Sequence, residues 1–377
     1  MSRCFDALRI LFLVAVPCAL VLFWGQARLA PQTAGEYALP LPSDVIPPAI
    51  PDDNPLTAAK IALGQKLYFD ARLSADNSVS CATCHDPAKG FADGKPLAVG
   101  IGGKTGTRNS PTVINAAFND LQFWDGRAST LEEQAKGPLI NPVEMGMASH
   151  DALAAKLQNI SEYPPLFKQA FDSDHITIDN VVRAIASYER TVFSFSSPFD
   201  RFNAGDKTAM SESAQRGWEL FNGKARCNNC HGYVASSPTF TDNKFHNIGV
   251  AMHAANFAEL ARKAGQSPES TSDLAHSPGY SELGRFLVTK EPKDIGAFKT
   301  PGLRDVALTA PYMHDGSQRT LEEVIEFYDK GGEDNPYLDG GIRPLKLSAQ
   351  ERADLVEFLK ALTSDDLKRF SKPDSQP

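Results

Sequence analysis

The sequence has no excess of basic residues and little cysteine outside one recurring motif. Its 377 residues include 38 Lys and Arg against 46 Asp and Glu, a formal net charge of −8, so we expect no nucleic-acid partner. Only six cysteines are present. Cys4 and Cys18 lie near the N-terminus, and the other four belong to two copies of one motif, so no cysteine remains for a disulfide framework.

The composition is that of an ordinary globular protein. Hydrophobic residues make up 42% of the chain and charged residues 22%, which excludes a disordered or fibrous protein. A chain of 377 residues is long enough for two compact domains, each with its own core.

The N-terminus has the layout of an export signal. Arg3 and Arg9 precede an apolar run over residues 10–24, which is followed by small residues. This pattern predicts a signal peptide over residues 1–27 and a periplasmic protein; the alternative is an uncleaved anchor that tethers the protein to the membrane. Residues 28–55 are rich in Pro, Asp and Ala, and this composition predicts an extended leader.

Residues 81–85 and 227–231 both read C-x-x-C-H. This spacing is typical of covalent haem c attachment, in which two thiols bind the haem vinyl groups and the adjacent histidine binds the iron. A redox dithiol and a four-cysteine zinc site are the rival interpretations, but a histidine follows both pairs directly and the chain is predicted to be exported. We therefore expect two haem c groups, attached and ligated by Cys81, Cys84, His85, Cys227, Cys230 and His231.

An internal repeat relates the two halves. The run T-L-E-E begins at Thr130 and again at Thr320, an offset of 190 residues, and each run predicts a capping box at the start of a helix. The second helix can continue through Tyr328, whereas Pro138, at the equivalent position, is expected to interrupt the first. If these helices cover the haems, the second iron is offered a phenol oxygen and the first is offered nothing.

Four longer motifs carry a resemblance to a known family. The runs R-N-S-P-T (residues 108–112), F-W-D-G-R (123–127) and N-P-V-E-M-G (141–146), together with T-A-P-Y-M-H-D-G (309–316), resemble the bacterial dihaem cytochrome c peroxidases, a group that includes the methylamine-utilisation protein MauG. The resemblance covers roughly residues 55 to 365. It implies a mainly α-helical fold of two cytochrome c-like domains, each around one covalently attached haem c.

The resemblance also implies roles for individual residues. The first haem would react with hydrogen peroxide, with Gln134, Pro138 and Glu144 on its distal side and Glu144 moving protons during O–O cleavage. Trp124 would relay electrons between the haems. A calcium ion would be held between the domains by the Asn109 side chain and the carbonyl oxygens of Thr309 and Pro311.

Two departures from the peroxidase pattern favour the MauG-like branch. No histidine occurs between His85 and His150, so no histidine from this segment can occupy the first iron. We therefore expect the first iron to be accessible to peroxide without prior reduction of the protein. Tyr328 stands where the peroxidases place a methionine ligand of the second haem. Met313 is the main competitor for that role, with Met252, His246 and His253 behind it.

We predict domains over residues 56–205 and 206–365, followed by a tail over 366–377. The segment from about residue 240 to 286 has no clear period and predicts a long excursion of the second domain. The function expected is a peroxide-dependent oxidoreductase that either accepts electrons from a small redox protein (a cytochrome c or a copper protein) or oxidises a protein substrate. A non-catalytic electron-transfer cytochrome is the alternative.

Overall fold

The computed structural model describes residue 35 and residues 37–234, 237–250 and 256–370. The predicted signal peptide and the question of a membrane tether lie outside these residues, as do Met252, His253 and the end of the predicted tail. Within the described part of the chain, no helix has the length and apolar character needed to cross a bilayer. From Gly35 onward the chain forms one compact unit.

The fold is mainly α-helical, as predicted, with two cytochrome c-like domains. The α-helices of the described residues are α1 (Ala58–Phe69), α2 (Cys81–Cys84), α3 (Leu131–Ile140), α4 (His150–Gln158), α5 (Tyr163–Phe171), α6 (Ile178–Glu189), α7 (Pro198–Asn203), α8 (Glu212–Asn222), α9 (Phe257–Gln266), α10 (Thr271–Ala275), α11 (Phe286–Thr289), α12 (Leu321–Lys330) and α13 (Ala349–Lys360). The two short strands β1 (Phe245–His246) and β2 (Phe298–Lys299) pair antiparallel.

In each half, the helix that precedes the attachment motif crosses a partner helix at a glycine. Helix α1 begins after the N-cap Thr57 and α8 after the N-cap Ser211. A Cβ atom on Gly64 would lie 1.8 Å from the Ala184 carbonyl oxygen of α6. One on Gly217 would lie 2.0 Å from the Asp354 carbonyl oxygen of α13. A larger side chain would therefore push apart the helix pair that carries each haem motif.

Separate hydrophobic clusters underlie the two halves. Leu67 and Phe167 belong to the first cluster, and Phe221 and Phe358 to the second. Phe199 of α7 also packs in the second cluster. Near the C-terminus, Phe370 returns to the first half, where its ring lies 5.5 Å from that of Phe91. The predicted domain boundaries after residues 205 and 365 stay predictions.

The internal repeat is present in the backbone. Short 3₁₀ turns over Ala116–Phe118 and Val306–Leu308 follow Asn115 and Asp305, whose φ angles are 59° and 58°. Helices α3 and α12 begin and end 190 residues apart, at 131 and 321 and at 140 and 330. The two halves therefore repeat the same turn and the same helix at a constant offset.

The prediction that Pro138 interrupts its helix is wrong. Helix α3 continues to Ile140 with Pro138 inside it, and it has the same length as α12. Pro138 lies in the last turn, where the missing N–H deprives a single carbonyl, that of Gln134, of its helical partner. The two distal helices consequently differ in a side chain rather than in their course.

The two T-L-E-E runs do not form reciprocal capping boxes. Thr130 Oγ1 accepts from the Glu133 backbone N–H, as a box requires, but Glu133 Oε2 accepts from the backbone N–H of Ser129. The second half repeats this arrangement, with Glu323 bonded to the Arg319 N–H. Each helix start is still capped, but the glutamate carboxylate accepts from the N–H of the residue before the N-cap threonine instead of from the threonine itself.

The segment from residue 240 to 286 is more ordered than its composition predicts. It contains helices α9 and α10, and Phe257, Ala261 and Leu274 pack into a small core of their own. Its later part lies against the first half of the molecule: Thr107 Oγ1 donates to the Ala275 carbonyl oxygen over 2.8 Å.

Candidate active site

Helix α2 carries the first attachment motif, and His85 follows it directly. His85 Nδ1 lies 3.3 Å from the Phe91 carbonyl oxygen. Because a carbonyl only accepts, Nδ1 carries the proton and Nε2 is left free to bind a metal. Burial lowers the pKa of His85, which favours the neutral ring that a metal ligand needs.

The second motif is built in the same way. A short turn carries Cys227, and His231 Nδ1 lies 2.9 Å from the Phe240 carbonyl oxygen. Phe91 and Phe240 both adopt the left-handed region, with φ of 57° and 59°. In each half, this backbone conformation accompanies a carbonyl oxygen that holds the histidine ring. The paired thiols and the oriented imidazoles fit the requirements of two haem c groups.

A cavity of about 310 Å³ adjoins the second motif. Tyr328 lines it together with Cys227, Cys230 and His231. Burial, reinforced by the two neighbouring thiols, raises the pKa of Tyr328 well above its ordinary value. The side chain predicted as the second iron's sixth ligand therefore reaches the wall of the second haem site.

The structure leaves one of the other candidates for that ligand position open and excludes another. Met313 lines the same cavity, so the choice between Tyr328 and Met313 stays open. Both ring nitrogens of His246 face carboxylates, with Nδ1 2.7 Å from Asp339 and Nε2 3.1 Å from Asp242, which leaves no nitrogen for iron.

Cys230, Asp242 and His246 also form the metal-like cluster found among the described residues, with ligand atoms within 4.8 Å of one another. The hydrogen bond to Cys230, followed by those to the two carboxylates, raises the pKa of His246 to about 10. Since Cys230 belongs to the attachment motif, a thioether at its sulfur would remove the thiolate that a separate metal ion needs.

The predicted distal residues of the first haem lie on α3 and the turn that follows it. Gln134 is half-buried in α3, one turn before Pro138. The Pro138 carbonyl oxygen accepts from the Met145 N–H over 3.2 Å, which folds the turn carrying Glu144 back onto the helix end. Burial lowers the pKa of His85 and raises that of Cys84, and the negative charge of Glu144 acts to raise both pKa values, so Glu144 lies within electrostatic range of the first attachment motif.

The glycine-rich loop after the first motif packs against Glu144. The Glu144 carbonyl oxygen accepts from the Ile101 N–H over 2.8 Å. A Cβ atom on Gly100 would lie 2.1 Å from the Val143 carbonyl oxygen. The absence of a side chain at this position thus permits the loop, which has no histidine, to approach the distal turn closely.

Trp124 lies at the junction of the two halves. Its Nε1 donates to the Asn109 carbonyl oxygen over 3.0 Å, and its backbone oxygen accepts from Lys299 of β2. The ring also lines the cavity next to the second motif and meets the His314 ring edge to face. Trp124 is therefore fixed by contacts from both halves.

The three predicted calcium ligands line one cavity. Asn109, Thr309 and Pro311 contribute to the wall that also contains Trp124. Asn109 Nδ2 donates to the Lys95 carbonyl oxygen over 2.8 Å, which leaves the amide oxygen as its ligand atom. Oxygen donors of this kind suit calcium, and the ion itself stays a prediction.

The sequence did not predict a buried cluster of charged residues at the same junction. Asp125 is fully buried and pairs with Arg108 at 2.7 Å and with Arg127 at 3.0 Å. Arg285, from the second half, donates to the carbonyl oxygens of Asp125 and Gly126. The sequence showed Arg108, Asp125 and Arg127 inside the family motifs, but gave no indication that Arg285 joins them.

Comparisons with known proteins identify the family of the chain. A family model described as di-haem cytochrome c peroxidase matches residues 58–208. The cytochrome-c peroxidase IdrP1 of Denitromonas iodatirespirans is 40% identical over 341 residues, 89% of each chain. The methylamine utilization protein MauG of Methylorubrum extorquens is 42% identical over 316 residues, 84% of this chain and 81% of that protein.

A solved structure gives the same result. A MauG-like protein associated with microbial copper homeostasis superposes with a TM-score of 0.75 at 33% identity, covering 88% of this chain and 97% of the other. The family name describes two haem groups, and this chain has two C-x-x-C-H motifs, the first of which lies within the matched residues. The chain therefore belongs to the di-haem cytochrome c peroxidase family and is a peroxidase-type oxidoreductase.

Proposed function

We propose that this protein is a periplasmic, MauG-like member of the family that uses hydrogen peroxide at the site of His85 and stores or relays oxidising equivalents at the site of His231. The proposal rests above all on one asymmetry. Tyr328 and Pro138 occupy equivalent positions of α12 and α3, and Tyr328 reaches the wall of the second haem cavity. A pyrrolidine ring has no donor atom to offer a metal, so a haem iron held by His85 would have a position open for peroxide.

His85 and His231 would each hold a haem iron through Nε2. When bound, the haems supply the metal position for peroxide and the capacity for one-electron oxidation and reduction. Glu144 would carry the proton that moves from one peroxide oxygen to the other, the task of a general acid–base group. Gln134, on the same side, would orient peroxide through its amide.

Trp124 would relay electrons between the two halves, since its ring lies at their junction and both halves fix it. Asn109, Thr309 and Pro311 would hold a calcium ion beside it. Export to the periplasm is part of the same proposal, because the signal-like residues 1–27 precede motifs that require haem attachment outside the cytoplasm.

Two features favour a MauG-like oxidase of a partner protein over a peroxidase of small cytochromes. A phenol oxygen from Tyr328 would stabilise ferric and more oxidised iron at the second site, and a thioether would not. The loop at residues 99–103 brings no histidine to the first site. A small cytochrome c or copper protein as electron donor is the second candidate, supported by the relatives named cytochrome-c peroxidase.

The test is rapid mixing of the ferric protein with peroxide, without prior reduction. A fast spectral change, together with a resting spectrum that combines a high-spin and a low-spin haem, would support the proposal. A strict requirement for prior reduction, or two low-spin haems at rest, would contradict it. The oxidised protein can then be offered a reduced cytochrome, a reduced copper protein and periplasmic proteins in turn.

A further inference from the structure

A histidine from the second half of the molecule reaches the distal side of the first. His276 caps the C-terminal end of α10, and its Nε2 lies 3.3 Å from Glu144 Oε1. The two residues are 132 positions apart in the sequence. The site around the first haem is therefore completed by a segment that has no counterpart in the first half.

Several contacts hold this segment in place. Its Ala275 and Ser281 carbonyl oxygens accept from Thr107 Oγ1 and from Arg108, each over 2.7 to 2.8 Å. Arg285 closes the arrangement by donating to two carbonyl oxygens of the first half. Hydrogen bonds on both sides of His276 along the chain thus fix the ring beside Glu144.

The hydrogen bonds of His276 define what the ring can do. Its Nδ1 lies 2.7 Å from the Ser272 carbonyl oxygen, so Nδ1 must carry a proton. In the neutral ring Nε2 is then an acceptor that faces Glu144, and in the cationic ring it is a donor. The pair can hold one shared proton on either residue without moving a ring or a backbone atom.

Glu144 has little freedom apart from its side chain. Its backbone N–H donates to the Asn141 carbonyl oxygen and its own carbonyl oxygen accepts from Ile101. The side chains of His276 and Glu144 are 19% and 28% exposed, so solvent reaches both members of the pair while they are in contact. A proton that Nε2 takes up from solvent can therefore pass to Glu144 without opening the fold, while Nδ1 keeps its own proton on the Ser272 carbonyl oxygen.

We propose that His276 is a positioning residue that orients the Glu144 carboxyl and exchanges protons between that carboxyl and solvent during the reaction with peroxide. This inference rests on the proposed role of Glu144. The neighbouring charges have other partners: Asp273 of α10 accepts from Ser270 Oγ, and Arg127 pairs with Asp125. His276 is thus the group in direct contact with Glu144 that can both accept and donate a proton.

The test compares His276→Gln and His276→Ala in the haem-loaded protein, with His175→Gln as a matched control at an exposed histidine. Glutamine can keep a hydrogen bond to Glu144 but cannot carry a proton. We expect both His276 variants to slow the reaction with peroxide by about tenfold, less than the loss of Glu144 itself. The control should react at the wild-type rate. A wild-type rate in His276→Gln would overturn the relay.

Two further measurements separate this role from a structural one. In the infrared spectrum, the carboxylate band that Glu144→Gln removes should shift in His276→Ala, and an unmoved band would overturn the contact. The double variant Glu144→Gln, His276→Gln should react no more slowly than Glu144→Gln alone, because the two residues act in one step; additive losses would overturn the coupling. A wild-type protein that ignores peroxide would instead refute the proposed function.

Discussion

Trp124 and His314 stand at equivalent positions of the internal repeat, 190 residues apart, and their rings meet edge to face with centroids 6.5 Å apart. His314 is held by Phe298, whose ring stacks on it at 3.5 Å, and by Glu282, whose Oε2 lies 2.9 Å from Nε2. The two residues that occupy the same position of the repeat, one in each half, therefore contact each other at the junction of the halves. The offset of 190 could have identified His314 from the sequence.

The position of Trp124 predicts its effect on transfer between the haem sites. Trp124→Phe keeps an aromatic ring but loses the Nε1 hydrogen bond to Asn109 and the more easily oxidised indole. We expect the first site to react with peroxide at its normal rate, while spread of oxidising equivalents to the second site slows. Stopped-flow absorbance at wavelengths specific to each haem measures both steps. Unchanged kinetics at the second site would contradict a relay through Trp124.

Tyr328→Met should raise the reduction potential of the second haem. A phenol oxygen favours ferric iron, whereas a thioether paired with histidine favours the reduced state. Spectroelectrochemical titration of both haems measures the shift.

Two controls test which side chain binds. Tyr312→Met changes another tyrosine of the same cavity wall and should leave the potential in place. Met313→Leu should do the same if Tyr328 is the ligand. A shift in Met313→Leu with none in Tyr328→Met would assign the position to Met313.

Glu144→Gln should slow the reaction of the ferric protein with peroxide by about 10²-fold, the usual loss when a general acid–base group is removed. Glutamine has nearly the same shape and can still accept from His276, so the fold around the turn should persist. The measurement is the second-order rate constant for peroxide. The matched variant Glu269→Gln changes an exposed carboxyl and should react normally, and a normal rate in Glu144→Gln would remove the proton-transfer role.

The sequence predicted what local patterns determine. The helix starts after Thr130 and Thr320 and the 190-residue repeat depend on local sequence patterns, and each appears in the structure. The predicted break at Pro138 failed because proline costs little in a last helical turn, where few backbone bonds remain to be lost. The contact of His276 with Glu144 could not be predicted, since it joins residues 132 apart and the inserted segment has no repeat partner.

Asp125→Asn should destabilise the protein by about 3 kcal/mol, the usual cost of removing one partner from a buried ion pair. Asp125 is fully buried, and the change would leave Arg108 and Arg127 without their shared carboxylate. Denaturant unfolding of the haem-loaded protein measures the loss. The comparable change Asp206→Asn, at an exposed carboxyl, should cost little. Equal stabilities of the two variants would show that the shared carboxylate of Asp125 does not stabilise the fold.

The buried carboxyl of Glu189 predicts that the protein becomes less stable as pH rises. Its side chain is buried, and its Oε2 has no hydrogen-bond partner among the described residues. Burial raises the pKa of Glu189 to about 8, above the value of about 4.3 expected in the unfolded chain. Between these values the folded protein keeps a proton that the unfolded chain has released. The free energy of unfolding therefore falls as pH rises, by up to about 1.4 kcal/mol per pH unit for this group.

Glu189→Gln removes that loss because the amide stays neutral at every pH. We expect the variant to match the wild type near pH 3, where Glu189 is protonated in both the folded and the unfolded protein, and to be the more stable protein at about pH 8. Denaturant unfolding at several pH values measures the difference. The variant Glu219→Gln, at an exposed carboxyl of α8, should follow the wild-type curve. If Glu189→Gln also follows the wild-type curve, the Glu189 carboxyl is already ionised in the folded protein. A buried cation or a water molecule must then interact with that carboxylate.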